Sequence, residues 1–336
     1  MKLKNLGILT SITSFNFSTF YIFFNTSTMR RIYTIGETVL DIVFKDHLPV
    51  TAKAGGSMLN TAVSLGRLEL LIHFISEYGT DTVGEMIDGF LTSNGVDTRY
   101  VYHYSEGKSA LALAFLDDKN NANYSFYKAY PQKRLDVVFP KVEANDIVMF
   151  GSFYGVTYEI RDILKQFLHQ AKSSGAIIIY DPNFRKSHLF ELEVLKPAIL
   201  ENIAMSSIVR CSDEDLKLIF NVKDVDSAYK VIRPLCANMV YTSSSDAVYL
   251  RTPSLRESFP VKKITPLSTI GAGDNFNAGV VYGLYKDEIT RNNISSLPLN
   301  TWQQLIKHGI DFATEVCMSY ENYISKEFAE KVISNR

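Results

Sequence analysis

The chain has 336 residues, 46% hydrophobic and 21% charged, with a formal net charge of −1. That length holds one large domain or two ordinary ones, and the composition is that of a soluble globular protein. A nearly neutral chain lacks the field that would draw a nucleic acid or an anionic membrane, and three scattered cysteines, Cys211, Cys236 and Cys317, with no CxxC spacing, give neither a disulfide framework nor a zinc site and fit a reducing cytoplasm.

Residues 1–28 read differently from the rest. Lys2 and Lys4 precede an apolar stretch that Ser, Thr and Asn interrupt, too broken to span a bilayer. It is either a secretory leader or an extension upstream of a start at Met29. The second reading is preferred, because Ile32 to Ile35 already reads as a buried first strand and nothing earlier matches the domain. Residues 29–336 are then expected to form one domain.

Val39 to Val50 reads as an extended piece. Ser57 to Leu68 has apolar residues at helical spacing, Leu71 to Ser76 is strand-like, and Gly84 to Asn94 is a helix that Gly95 would end. Ser109 to Leu116 and Asn123 to Tyr127, joined by a polar turn, form a hairpin signal. These segments, near 39–50 and 109–127, are expected to build a small β flap. Asp146 to Gly151 is a strand, Arg161 to Ser174 a helix closed by Gly175, and Ala176 to Asp181 the clearest buried strand. Val209, Met239 to Thr242 and Ala247 to Leu250 supply more strands. Strands alternating with helices predict an α/β fold with a mostly parallel sheet covered on both faces.

Two glycine-rich stretches carry chemistry. In Gly271-Ala272-Gly273-Asp274 the glycines allow a tight turn whose backbone N–H groups face an anion at a helix N-terminus. A charge developing on a transferred phosphoryl group fits that place. Asp274, in the first turn, is then positioned to take the proton of an attacking hydroxyl. The plainer alternative is a glycine turn with Asp as a helix cap. In Gly55-Gly56-Ser57-Met58-Leu59-Asn60 a second glycine pair opens a helix, and the Asn60 amide suits sugar hydroxyls. Neither stretch is a Walker A loop or a dinucleotide fingerprint. The six histidines show no metal-ligand spacing, and most Tyr and Phe belong to core and flap.

Together these motifs resemble the ribokinase-like, or PfkB, carbohydrate kinase family, and its fructokinase-like members in particular. The resemblance rests on Gly55-Gly56-x-x-x-Asn60-x-Ala62 and on Ser268-Thr269-Ile270-Gly271-Ala272-Gly273-Asp274 followed by Ala278-Gly279. It also rests on Gly36 to Asp41 and on Asp181-Pro182-Asn183-Phe184-Arg185. It implies a three-layer α/β/α domain with a β-sheet lid, ATP and Mg²⁺, a monovalent cation such as K⁺, a small sugar as substrate, and a homodimer through the lid. It further implies Asp274 as base and residues 271–273 as anion hole. Asp41, Gly55, Gly56, Asn60 and Asn183 would hold the sugar, with Arg185 near a phosphate or an acidic sugar. Asp41 read alone is also a turn residue, and Arg185 also a surface ion pair. On the nucleotide side the resemblance implies Ser212, Thr242, Ser244, Ala247 and Thr269, with Asp215 acting on the metal through water.

Three departures stand out. Ser212-Asp213-Glu214-Asp215 replaces an Asn-x-x-Glu run, and Ser268 stands where Asp is usual. Thr242-Ser243-Ser244-Ser245-Asp246-Ala247 replaces a Thr-x-Gly-x-x-Gly loop. Side chains at 244 and 247 are expected to strain that loop if it needs positive φ, which points to weak ATP binding or, alternatively, to a sugar or nucleotide sensor. Fructose is the first expected substrate, with ketodeoxygluconate, ribose, another hexose or a nucleoside as alternatives.

Overall fold

The computed structural model describes residues 30–117, 122–243 and 246–336. The chain opens with β1 (Ile32–Ile35), β2 (Val39–Lys45), β3 (Leu48–Gly55) and α1 (Ser57–Arg67). β4 (Ile72–Gly79), α2 (Thr82–Ser93), β5 (Val96–Tyr104), β6 (Lys108–Leu116) and β7 (Ala122–Ala129) follow. Next come β8 (Ile147–Gly151), α3 (Arg161–Ser174), β9 (Ile177–Asp181), α4 (Leu192–Met205), β10 (Ile208–Ser212), α5 (Asp213–Phe220) and α6 (Val225–Ile232). The last elements are β11 (Met239–Ser243), β12 (Ala247–Arg251), β13 (Arg256–Pro260), α7 (Ala272–Lys286), α8 (Leu299–Cys317) and α9 (Lys326–Ser334).

Among the described residues, nine strands form one sheet in the order β13-β12-β11-β10-β9-β8-β1-β4-β5. The strands from β5 to β11 along that order run parallel, and only β12 and β13 turn back antiparallel. β8 and β9 are buried at every position, as apolar strands covered on both faces must be. Their alternation splits the core. Ile147, Met149, Ile177, Ile179 and Ile208 pack with α1, α7 and α8. Val148, Phe150, Ile178, Tyr180 and Val209 pack with α3, α4 and α5. The three-layer arrangement expected from the sequence is present.

The lid is a separate four-stranded sheet in the order β3-β2-β6-β7. β2 runs parallel to β6, and both outer pairs are antiparallel. Its sequence reading needs one correction. The piece 39–50 is not a single extended run but a hairpin that continues to Gly55. Asp46 and His47 make its turn with φ of 52° and 64°, a conformation these residues tolerate without a glycine to advertise it. Leu48, Val50, Phe126 and Tyr127 lie exposed on the lid.

Candidate active site

Parallel strands bring their C-terminal ends to one edge, where open α/β sheets place their ligands. Gly151 pairs with Asp181, Val209 with Tyr180, and Ser212 with Thr242. The N-terminus of α7 reaches the same edge. Its cap, Gly271, has φ 79°, and a Cβ there would lie 2.6 Å from the Asn322 carbonyl oxygen. Only glycine fits this bend. The helical ladder begins with the Asn275 N–H on Gly271 O at 2.9 Å, so the amides before it have no intrahelical acceptor. The Ala272 N–H turns back to Thr269 O at 3.3 Å.

Asp274 sits at the meeting of α1 and α7. Ser57 Oγ donates to its Oδ1 at 2.6 Å and Asn60 Nδ2 to its Oδ2 at 2.8 Å. Thr61 Oγ1 donates to its carbonyl at 2.9 Å. Burial pushes the Asp274 pKa up, and the bonds from Ser57 and Asn60 hold it back. A carboxylate held this way is more basic than an exposed one and keeps a fixed direction, which is what proton abstraction requires.

Beside it lies a buried acceptor with nothing to accept from. Asn60 is buried, and its Oδ1 has no partner. The Asp41 carboxylate, from β2, rests on Gly55 so closely that a Cβ there would lie 2.0 Å from Oδ2. Burial pushes the Asp41 pKa up to about 7. Gly56, with φ 133°, carries the chain from the lid into α1 at a point where a Cβ would meet the Glu37 carbonyl oxygen at 2.3 Å. Glu37 ties the root of the lid to the core, accepting from Tyr130 Oη at 2.5 Å and pairing with Lys128 at 2.7 Å. Arg185 is exposed, and its charge acts on both Asp274 and Tyr124 of the lid. Asp41, Gly55, Gly56, Asn60 and residues 271–274 are thus brought together, and Arg185 faces them.

The other half of the site lies over β9, β10 and β11. Asp181, buried at the end of β9, accepts from Arg210 Nη1 at 2.9 Å, from Asn277 Nδ2 at 2.7 Å and from the Asn183 N–H at 3.0 Å. Asn183 itself has φ 39°, so the chain reverses sharply there. Thr242 Oγ1 accepts from Arg210 Nη2 at 2.9 Å. Ser212 and Asp215 form a reciprocal cap on α5. Asp215 Oδ2 accepts from the Ser212 N–H and Oγ, each at 2.7 Å, and Oδ1 from the Phe184 N–H at 2.6 Å. Both oxygens are therefore occupied by protein donors. Among the described residues, no group of three or more His, Cys, Asp or Glu could hold a metal ion. Thr269 is exposed beside the α7 cap. Ser244 lies outside the described residues. Ala247 corrects the expected strain: it opens β12 opposite Ser243 and is absent from the positive-φ positions. A strand pairing, not a glycine-type turn, sets its backbone.

The sequence reading passed over Ser57, Arg210 and Asn277 and gave Asp181 no role. It also passed over Ser152, next to Asp181, which donates its N–H to Asp181 O at 2.9 Å. Ser152 has φ 56° and ψ −167°, territory that belongs essentially to glycine. Ser152→Gly is expected to raise stability by about 1 kcal/mol, strain relief outweighing the added freedom of the unfolded chain. Urea unfolding measures this, and a loss of stability would contradict the strain.

A helix N-terminus whose first amides lack intrahelical acceptors, with a buried carboxylate in its first turn, is an arrangement that can serve phosphoryl transfer to a small molecule. The family model described as pfkB family carbohydrate kinase matches residues 29–296, and the chain belongs to that family. It is a sugar kinase. It is 22% identical to the fructokinase of Vibrio alginolyticus over 268 residues, 79% of this chain and 87% of that protein. It is 25% identical to fructokinase-1 of Oryza sativa subsp. japonica, covering 76% and 83%. The fold matches fructokinase from Vibrio cholerae O395 in its fructose-, ADP- and calcium-bound form, with TM-score 0.77, 18% identity and coverage of 91% and 99%. It matches aminoimidazole riboside kinase from Salmonella enterica, complexed with aminoimidazole riboside and an ATP analog, equally well, with TM-score 0.77, 18% identity and coverage of 90% and 100%. Among the described residues no helix is long and apolar enough to cross a membrane.

Proposed function

We propose that this kinase transfers the γ-phosphoryl group of ATP to the primary hydroxyl of fructose, giving fructose 6-phosphate. The observation that carries a polyol substrate is the buried, unpartnered Asn60 Oδ1, whose own amide nitrogen holds Asp274, with the Asp41 carboxylate resting on Gly55 just ahead of the same helix. Sugar hydroxyls would supply the missing donors. The curated fructokinases among its relatives support fructose over other sugars.

The attacking hydroxyl oxygen bonds to phosphorus as its proton passes to Asp274. The bond from phosphorus to the bridging oxygen breaks, and its electron pair leaves with ADP. Asp274 later returns the proton to water. The amides at 271–273 face the charge that spreads over the transferred group. Mg²⁺, when bound with the nucleotide, neutralises phosphate charge, and Asp215, its oxygens already engaged, is suited to reach it only through water. Lid closure over the sugar excludes water from the transfer.

Asp41 gives a pH signature. Hydroxyl donors bind its ionised form, and its pKa in the free protein is about 7. Fructose affinity, measured without ATP, is expected to be flat above pH 7 and to weaken toward about tenfold per pH unit below it. Flat affinity down to pH 5 would remove Asp41 from the sugar site.

Initial rates over fructose, ribose, ketodeoxygluconate, glucose and a nucleoside, with ATP and Mg²⁺, test the substrate. The highest kcat/KM is expected for fructose. A higher value for any of the others would replace it.

A further inference from the structure

The strongest feature that phosphoryl transfer as described leaves unused is a buried cation under the anion hole. Arg210 is the third residue of β10, in the interior of the sheet, and is 9% exposed. Strand alternation turns Val209 and Cys211 into one core and directs Arg210 to the α7 face. There its Nη1 donates to Asp181 and its Nη2 to Thr242. Its guanidinium carbon stands 5.5 Å from the centre of the Phe276 ring. Its Nε, also buried, has no partner. A Cβ added at Gly273 would lie 3.1 Å from Nη1 and 3.3 Å from Nη2, so the terminal edge of the guanidinium packs directly against the middle of the first turn of α7.

This placement is costly for the fold alone. Burying a charge in a sheet is expensive even when it is paired, and an apolar side chain of similar volume often serves stability as well. A cation at the N-terminus of a helix also opposes the helix dipole. Asp181 offsets part of that cost, and Asp215 adds a second negative charge nearby. Both penalties become advantages when an anion arrives at the amides of 271–273.

We propose that Arg210 is a positioning residue for phosphoryl transfer: it holds a permanent positive charge beneath Gly273 and keeps the anion hole aligned for the group in flight. Asp181 and Thr242 fix its orientation. Asp181 also grips α7 through Asn277, so the cation and the helix that carries Asp274 move as one unit. Arg210 does this from below the backbone, without replacing the amides or the base. Its contribution grows as charge builds on the transferred group, so it acts on turnover more than on binding of either substrate.

The inference rests on the proposed role of residues 271–274, and its test separates the two. Arg210→Gln, Arg210→Lys and Asp274→Asn are compared for kcat, for KM of ATP and of the panel sugar that turns over fastest, and for affinity toward ADP–aluminium fluoride in the presence of that sugar. Arg210→Gln is expected to lower kcat by about 10²-fold. It should weaken ADP–aluminium fluoride by a similar factor while both KM values stay within about threefold. Arg210→Lys keeps the charge and should recover kcat to within about tenfold of wild type. A kcat for Arg210→Gln within threefold of wild type would overturn the proposal. So would equal losses in kcat, both KM values and melting temperature that Arg210→Lys does not rescue, since that pattern marks a purely architectural arginine. If Arg210→Gln does not fold, Arg210→Lys decides alone: a kcat within tenfold of wild type supports the proposal and a fall beyond 100-fold overturns it. Full turnover in Asp274→Asn would instead overturn the proposed role of 271–274, and the inference about Arg210 with it.

Discussion

Asp274→Asn is expected to lower kcat by about 10²–10⁴-fold, the usual contribution of a general base, with KM for ATP and sugar changed only a few-fold. The reason lies in how the carboxylate is held. Ser57 and Asn60 each donate to one of its oxygens. An amide keeps one of those acceptors, and the Ser57 hydroxyl can rotate to accept from the new NH₂ group, so the junction of α1 and α7 survives. What disappears is the basic oxygen. In the wild type, kcat is expected to fall as pH drops through the Asp274 pKa, which burial raises above the ordinary carboxylate value. Protonation there removes the base, so activity is lost on the acid side. Steady-state kinetics from pH 5 to 8 on both proteins checks this. Turnover of the variant within a few-fold of wild type would take Asp274 out of the chemistry.

Gly271→Ala should damage stability and turnover together. The residue has φ 79°, and the new Cβ would lie 2.6 Å from the Asn322 carbonyl oxygen. That carbonyl cannot yield freely, because it accepts from Asn275 Nδ2 at 2.7 Å. Left-handed backbone costs about 1–2 kcal/mol for a residue with a side chain, and the clash adds to it. A loss of about 2–4 kcal/mol in urea unfolding is expected. The cap must shift to relieve the contact, and an error of about 1 Å in a reacting group lowers turnover by about 10²-fold. Gly89→Ala is the control. Gly89 lies within α2, and a Cβ there meets nothing within 4 Å. Alanine there should stabilise by about 0.5–1 kcal/mol and leave kcat unchanged. Equal behaviour of the two variants would mean that the α7 cap has no special demand for glycine.

The parts of this molecule legible in its sequence are those encoded locally. Arg161 to Ser174 carries its own helical spacing and its own stop at Gly175, and the structure gives those same bounds. Ile177 to Tyr180 reads as a buried strand because both of its faces are covered, and Asp181 closes it. Gly271 to Asp274 stood out because a bend, a set of amides and a carboxylate fall within four consecutive residues. The lid turn at Asp46 and His47 was not legible, since neither residue announces positive φ as glycine would. Ser57 was not legible either: its partner Asp274 is 217 residues away, and no local pattern marks a serine in the first turn of a helix as a ligand to it. Arg210 reads in sequence as an interruption of an apolar strand. Its meaning depends on Asp181, Thr242 and Gly273, which three other segments bring to it.

The most direct test of the central claim is single-turnover transfer from γ-labelled ATP, with and without fructose, followed by locating the label. Stoichiometric label on the 6-oxygen of fructose is expected, with little free phosphate when sugar is absent and transfer slowed by about 10²–10⁴-fold in Asp274→Asn. Label released as inorganic phosphate regardless of sugar, or transfer undiminished in Asp274→Asn, would contradict that claim.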